Sequence, residues 1–272
     1  MNTEDIIRQY LSEVKKSRSA NTVKAYRYSC NDLLEYLRAN NKNLFFLSSN
    51  SEIQYYIKYL EAKKYSERTV KHRICVLREL ISYCISNSYL PDSNRGLNFK
   101  VKEKIEYASA EDIKALYKYC SNYDKYDDYF SLRAKTEIML ILLLGFKVGE
   151  LAELKLEDVS VKNKAVSHYS VIKYIYDRSL IPIINDYISK RSYFISEFDA
   201  ACDSLFLNRF GKGLKSKAIN DDFNKICSEI NVNTTLGALR SSCIKYYYDN
   251  MPDSLLIAKI FDLSKERLNL MK

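Results

Sequence analysis

The chain has 272 residues, 47% of them hydrophobic, which is enough to bury a core and too many for a disordered chain. Only 6 Gly and 3 Pro argue against a turn-rich β fold and for long helices. The net charge of +9 is uneven: residues 1–105 hold 19 Lys+Arg against 11 Asp+Glu, and residues 106–272 hold 24 against 23, so the first third carries the kind of positive field that attracts a polyanion.

Four amphipathic helices are predicted first. Residues 3–16 place Ile6, Ile7, Tyr10, Leu11 and Val14 on one stripe. Ser19 and Asn21 offer caps for a second helix, with Val23, Tyr26, Leu33, Leu34 and Leu37 at helical spacing. A third starts near Ser51 and uses Ile53, Tyr56, Ile57 and Leu60. Ser66 opens a fourth through an S-x-x-T box that lacks the usual Glu, with Val70, Ile74, Leu77, Leu80, Ile81 and Cys84 as its stripe. Together they make a small bundle. Residues 91–105 then break the periodicity with Pro91, Gly96 and four basic side chains. The expected organisation is a helical domain over 1–93, a linker over 94–105 and a second domain over 106–272.

In the second domain Ser109 caps a helix, and residues 136–146 form a buried one. Residues 165–184 alternate apolar and polar and run into Leu180-Ile181-Pro182-Ile183, which reads as two or three short antiparallel strands. Helices resume at about 185–198, 216–230, 238–250 and 253–262. The fold class is therefore mainly α, in two domains: a four-helix bundle and an α+β domain with a small antiparallel sheet.

The seven cysteines are scattered without a C-x-x-C pair, and neither His72 nor His168 lies near a cysteine cluster. No zinc site, disulfide framework or other metal is expected, and reduced cytoplasmic thiols are. The N-terminus lacks the basic and apolar regions of a signal peptide, and the longest apolar run, Ile138 to Phe146, is too short to span a bilayer. Twenty-four Tyr against no Trp are read mainly as A/T-rich codon usage, with a few tyrosines available to stack on nucleic acid.

Several segments, in order, resemble the tyrosine recombinase or phage integrase family. S-A-N-T-V-K-A-Y-R-Y-S-C from Ser19 and S-E-R-T-V-K-H-R-I-C-V-L from Ser66 look like two halves of its helical core-binding (SAM-like) domain. L-L-L-G-F-K-V-G-E-L from Leu142 is similar to its first catalytic box. S-L-F-L-N-R-F-G-K-G-L from Ser204 is similar to the lead-in to the second box, and T-L-G-A-L-R-S-S-C from Thr235 to that box itself. The resemblance covers almost the whole chain, which is similar to bacterial chromosome-dimer recombinases and to atypical clostridial plasmid relaxases.

The resemblance implies phosphodiester chemistry through a covalent phosphotyrosine, with two arginines clamping the non-bridging oxygens and further groups moving protons. Carried over, the first clamp position holds Lys147, which supplies a point charge rather than a fork. The hairpin lysine is Lys173, in V-I-K-Y-I-Y-D-R-S-L-I-P-I, where Arg178 and Pro182 also match. The second arginine is Arg240. Gly237 and Ser241 stand at two histidine positions, and a later histidine position falls near Leu263. The nucleophile is expected about thirty residues beyond Arg240, and Asn269 to Lys272 hold no tyrosine. Tyr246, Tyr247 and Tyr248 are weak displaced candidates. Glu150 is expected to orient neighbours, and it is a possible partner for a structural Arg240.

The same resemblance implies that the helices from Asn21 and Ser66 lie in a major groove of double-stranded DNA. They would present Thr22, Lys24, Arg27 and Tyr28, and then Arg68, Thr69, Lys71, His72 and Arg73. Lys173, Arg178 and Arg240 would add contacts from the second domain, and self-association on DNA would be possible. The implied function is sequence-specific duplex binding without recombinase activity, as an accessory or regulatory factor on a mobile element or chromosome. The alternative is a strand-nicking and rejoining enzyme whose tyrosine is displaced or supplied by another protomer. Neither a small-molecule cofactor nor a membrane is an expected partner.

Overall fold

The computed structural model describes residues 2–92, 104–124, 128–198 and 201–271. The chain forms two compact units, Met1–Lys104 and Ile105–Lys272. The linker expected at 94–105 lies outside the described residues as far as 103.

The first unit contains α1 (Thr3–Ser17), α2 (Ala20–Ala39), a 3₁₀ segment (Leu44–Ser48), α3 (Asn50–Ala62) and α4 (Glu67–Ser86). The stripes read from the sequence face inward; Ile53, Leu60, Ile74 and Cys84 are all but inaccessible. Two helices start identically. Ser19 Oγ accepts from the Thr22 amide at 3.2 Å and meets the Thr22 hydroxyl at 2.9 Å. Ser66 Oγ does the same with Thr69, at 3.3 and 2.9 Å. Threonine thus stands where a capping box would carry Glu, and its hydroxyl bonds the cap side chain rather than the cap backbone. Asn21 is inside α2, and α3 is capped by Ser49.

Asp32 of α2 is buried, so its charge requires partners. It accepts from Arg73 Nε of α4 at 2.6 Å and from the Tyr65 hydroxyl at 2.9 Å, with Lys63 Nζ 3.4 Å away. Arg73 Nη1 also donates to Ser29 Oγ at 3.1 Å. This pair closes the bundle between α2 and α4.

The second unit contains α5 (Ala110–Ser121), α6 (Tyr129–Leu144), α7 (Val148–Glu153), β1 (Val159–Ser160), β2 (Ala165–His168), β3 (Val171–Tyr174), α8 (Leu180–Ser196), α9 (Ser216–Glu229), α10 (Leu236–Asn250), α11 (Ser254–Phe261) and α12 (Lys265–Asn269). Helix α6 touches α5, α8, α9 and α10, and is buried on nearly every side; the apolar run 138–144 fills its second half, while Arg133, Lys135, Thr136 and Glu137 are buried polar residues in its first. It begins earlier than the predicted residue 136 because Asp128 caps it, accepting from the Ser131 amide at 2.8 Å. Its buried Arg133 lies 3.3 Å from Glu137 one turn on and donates to the Leu207 carbonyl at 2.7 Å. Burial holds the Glu137 carboxyl well above the usual range.

The sheet is antiparallel in the order β1-β2-β3, with Val166 opposite Lys173 and Ala165 opposite Tyr174. Alternation along β3 buries Lys173 and, just beyond it, Ile175, and exposes Ile172, Tyr174 and Tyr176. The expected strand at Leu180–Ile183 is instead the first turn of α8. Pro182 is its third residue, where a helix needs no amide donor. Helix α12 was not expected.

All seven cysteines are free. Cys30, Cys84, Cys120, Cys227 and Cys243 are buried, and burial raises their thiols to about 11 or 12. Cys75 and Cys202 are half-buried. Among the described residues no metal-binding cluster occurs, and no helix is long and apolar enough to cross a membrane.

Replacing Asp32 with Ala leaves the half-buried Arg73 guanidinium without its carboxylate. Chemical denaturation of the first unit's transition is expected to show a loss of about 3 kcal/mol. A loss below about 1 kcal/mol would mean that the pair is not what closes the bundle.

Candidate functional site

The site is organised by the end of α6. Gly145 terminates that helix in the left-handed conformation, with φ +61°, a region that favours glycine. A Cβ added there would lie 2.6 Å from the Phe261 ring and 3.3 Å from Cys243 Sγ. Glycine therefore meets two needs at once, the backbone turn and the close approach of α10 and α11.

The Gly145 carbonyl receives two cations. Arg240 Nε donates to it at 2.8 Å, and Lys173 Nζ at 3.4 Å. Arg240 Nη2 also donates to the Phe261 carbonyl at 2.7 Å, so the guanidinium bridges the C-terminal ends of α6 and α11. Those ends carry partial negative charge, which favours a cation there. Burial lowers the Arg240 pKa; Glu150 opposes the shift and Arg267 adds to it. An arginine nevertheless stays charged.

Lys173 is 6% exposed and sits 4.2 Å above the Phe146 ring and 5.0 Å from that of Phe261. Its Nζ is 3.9 Å from Glu150 Oε2. Burial pulls its pKa down to about 8, against the attraction of Glu150, and Arg240 and Lys147 push the same way as burial. A lysine in this position is charged at neutral pH and close to giving up its proton.

Lys147 begins α7. Its backbone amide donates to Glu150 Oε2 at 2.8 Å, half of a capping box, and its Nζ lies 3.5 Å from Glu150 Oε1 and 2.7 Å from Asp262 Oδ2. Glu150 thus faces both lysines. Helix α12 adds Arg267, whose Nη2 donates to Ser241 Oγ at 3.2 Å, while Ser241 Oγ donates to the Gly237 carbonyl at 2.8 Å. Lys147, Lys173, Arg240 and Arg267 against Glu150 and Asp262 leave the locus positive. Such a locus suits a phosphate.

The structure therefore brings Lys147, Lys173 and Arg240 together. Asp262 and Arg267 were missed. Asp262 was adjacent to a residue singled out in the sequence, since it precedes Leu263. Arg267 gave no periodic or motif signal, because α12 is too short to show one.

Other expected residues are placed elsewhere. Gly237 is exposed, and a Cβ there would meet only Thr235 Oγ1, at 3.7 Å, so the position is open. Leu263 is half-buried among Ile105, Ile244, Ile257 and Phe261, as Met271 is more deeply. Arg178 is exposed beyond β3 and makes none of the contacts that join the cluster. Of the three tyrosines, Tyr246 is 67% exposed. Tyr247 packs on Phe261 and donates to the Leu143 carbonyl at 3.2 Å, and burial pushes its hydroxyl up to about 12. Tyr248 is half-buried, with Lys245 Nζ 5.6 Å from its ring.

In the first unit, Lys24, Arg27, Tyr28 and Arg68 are exposed on α2 and α4. Thr22 and Thr69 are half-buried in their caps, and Lys71 is half-buried. Two residues depart from the expected outward face. Arg73 turns inward to Asp32 because that buried carboxylate requires it. His72 packs edge-on against Tyr26 with Nε2 buried, and burial followed by the Arg73 charge lowers its pKa.

Residues 106–266 match the phage integrase family, and residues 7–87 match the phage integrase N-terminal SAM-like domain. Tyrosine recombinase XerC of Listeria welshimeri is 23% identical over 81% of this chain and 76% of its own length. A putative tyrosine recombinase of Caldanaerobacter subterraneus subsp. tengcongensis is 26% identical over 92% and 86%. Among solved structures, XerH site-specific recombinase bound to palindromic difH substrate superposes with TM-score 0.70 at 14% identity, covering 97% of this chain and 79% of that one. A lambda integrase dimer bound to a core site gives 0.69 at 13%, covering 100% and 95%. The fold is shared throughout, and with a family match across more than half its length, this chain belongs to the phage integrase family of tyrosine recombinases.

Proposed function

We propose that the chain binds double-stranded DNA in a sequence-specific manner, as an accessory or regulatory factor on a mobile element or chromosome. In this reading Lys147, Lys173 and Arg240 grip a backbone phosphate. A helical domain (1–93), joined by a linker (94–105) to the second (106–272), contributes Lys24, Arg27 and Arg68 from α2 and α4. The observation that carries the reading is the convergence of Arg240 and Lys173 on the Gly145 carbonyl, with Lys147 beside them. The similar structures of XerH and lambda integrase are bound to DNA, which supports the same partner here.

Strand exchange is not part of the proposal. Lys147 offers one charge where a fork would hold two oxygens. Gly237 supplies no proton donor. Arg240 directs two nitrogens at carbonyls, and the Tyr247 hydroxyl is already donated to a helix. One observation favours the second reading, a nicking enzyme: Tyr246 is well exposed on the helix that carries Arg240.

Duplex affinity should fall steeply with salt in a fluorescence anisotropy titration. Lys24→Ala, Arg27→Ala and Arg68→Ala are each expected to reduce the slope by about one counterion. A salt-independent affinity would defeat the proposal. Affinity should also decline as pH rises through about 8, because Lys173 is charged below that value and neutral above it. Lys173→Met should bind more weakly and lose that step, whereas a step that persists would remove Lys173 from the grip. Incubation with a nicked suicide duplex is expected to give no SDS-stable adduct. An adduct abolished by Tyr246→Phe would establish the nicking enzyme instead.

A further inference from the structure

The two carboxylates of the cationic locus are held in different ways. Glu150 is 18% exposed and fixed by the Lys147 amide at the start of α7. Asp262 is 85% exposed, and Lys147 Nζ, at 2.7 Å, is its hydrogen-bond partner. Its backbone is left-handed, with φ 49° and ψ 64°, and its amide donates to the Ala258 carbonyl to end α11. The end of the helix therefore sets where this carboxylate stands. The Lys147 hydrogen bond, and then its charge, lower the Asp262 pKa, and Arg240 adds to the effect, so the group is ionised throughout the neutral range.

A carboxylate oxygen 2.7 Å from a lysine ammonium occupies the place that a phosphate oxygen would take. We propose that Asp262 is an internal competitor for Lys147: it holds the ammonium away from the DNA backbone and sets how tightly the locus takes up phosphate. The inference rests on the duplex-binding reading and adds a residue to it. An exposed ion pair contributes little net stability, so an incoming phosphate can displace the carboxylate at small cost. Until displaced, Asp262 both occupies the cation and repels the phosphate. Glu150 does not act this way, because it is half-buried and bound to the backbone amide that starts α7.

The test is a double-mutant cycle on the full chain, read by anisotropy of a short fluorescein-labelled duplex of mixed sequence at low salt. Asp262→Asn removes the charge and keeps the left-handed turn, which Asn tolerates. It is expected to tighten binding by about three- to tenfold. Lys147→Ala is expected to weaken binding, and in that background Asp262→Asn should bring little further change. Asp262→Gly also suits the positive φ and should repeat the gain, so a folding defect in one variant does not decide the outcome. Thermal unfolding of the variants provides the control. Unchanged or weaker binding by both Asp262 variants would overturn the inference. So would an equal gain with and without Lys147, which would reduce Asp262 to a distant charge. Absence of binding by every protein, the unmodified chain included, would remove the duplex-binding reading and this inference with it.

Discussion

One carbonyl organises the second unit's site. Helix α6 is so thoroughly buried that its end is fixed by packing, and its last carbonyl must find donors inside the protein. Arg240 and Lys173 supply them, from a helix and a strand far apart in sequence. The arrangement requires a residue with no side chain at 145, because Phe261 and Cys243 approach it closely. The proposed phosphate grip thus draws on side chains that backbone carbonyls already hold. Arg240 and Lys173 are held in place by backbone carbonyls. This is how preorganised electrostatic sites avoid reorganising when charge arrives.

The two lysines illustrate how context divides one residue type into two roles. Lys173, packed on aromatic rings and nearly inaccessible, has lost part of its hold on its proton. Lys147, at a helix start and half-exposed, faces a solvent-accessible carboxylate. Desolvation governs the first, and the charges of Glu150 and Asp262 surround the second. Arg240, bonded to the Gly145 and Phe261 carbonyls, stays charged. The locus therefore combines a fixed charge, a titratable charge and an ion-paired one.

Much of this was legible in the sequence. The four stripes of the first unit and the Ser19, Ser66 and Ser109 caps depend on local spacing, and local spacing is what a sequence displays. Lys147, Lys173 and Arg240 were legible through motif order, and the structure gathers them. What escaped notice depends on tertiary position. Leu180–Ile183 is apolar enough for a strand, and only the packing of α8 makes it a helix. Arg73 reads as an outward basic residue until Asp32 is seen to be buried beside it. Asp262 reads as an ordinary helix terminator until Lys147, more than a hundred residues earlier, is found at its carboxylate. Each miss is a long-range electrostatic partner or a packing override that no local window contains.

The distribution of the thiols has a practical consequence. Five cysteines are sealed in the cores, and their raised pKa values keep them protonated and unreactive at neutral pH. Cys75 and Cys202, half-buried, are the least enclosed of the seven, one in each compact unit. The native chain thus carries its own attachment points for two spectroscopic labels, and the spacing of its halves with and without nucleic acid can be followed without engineering a residue.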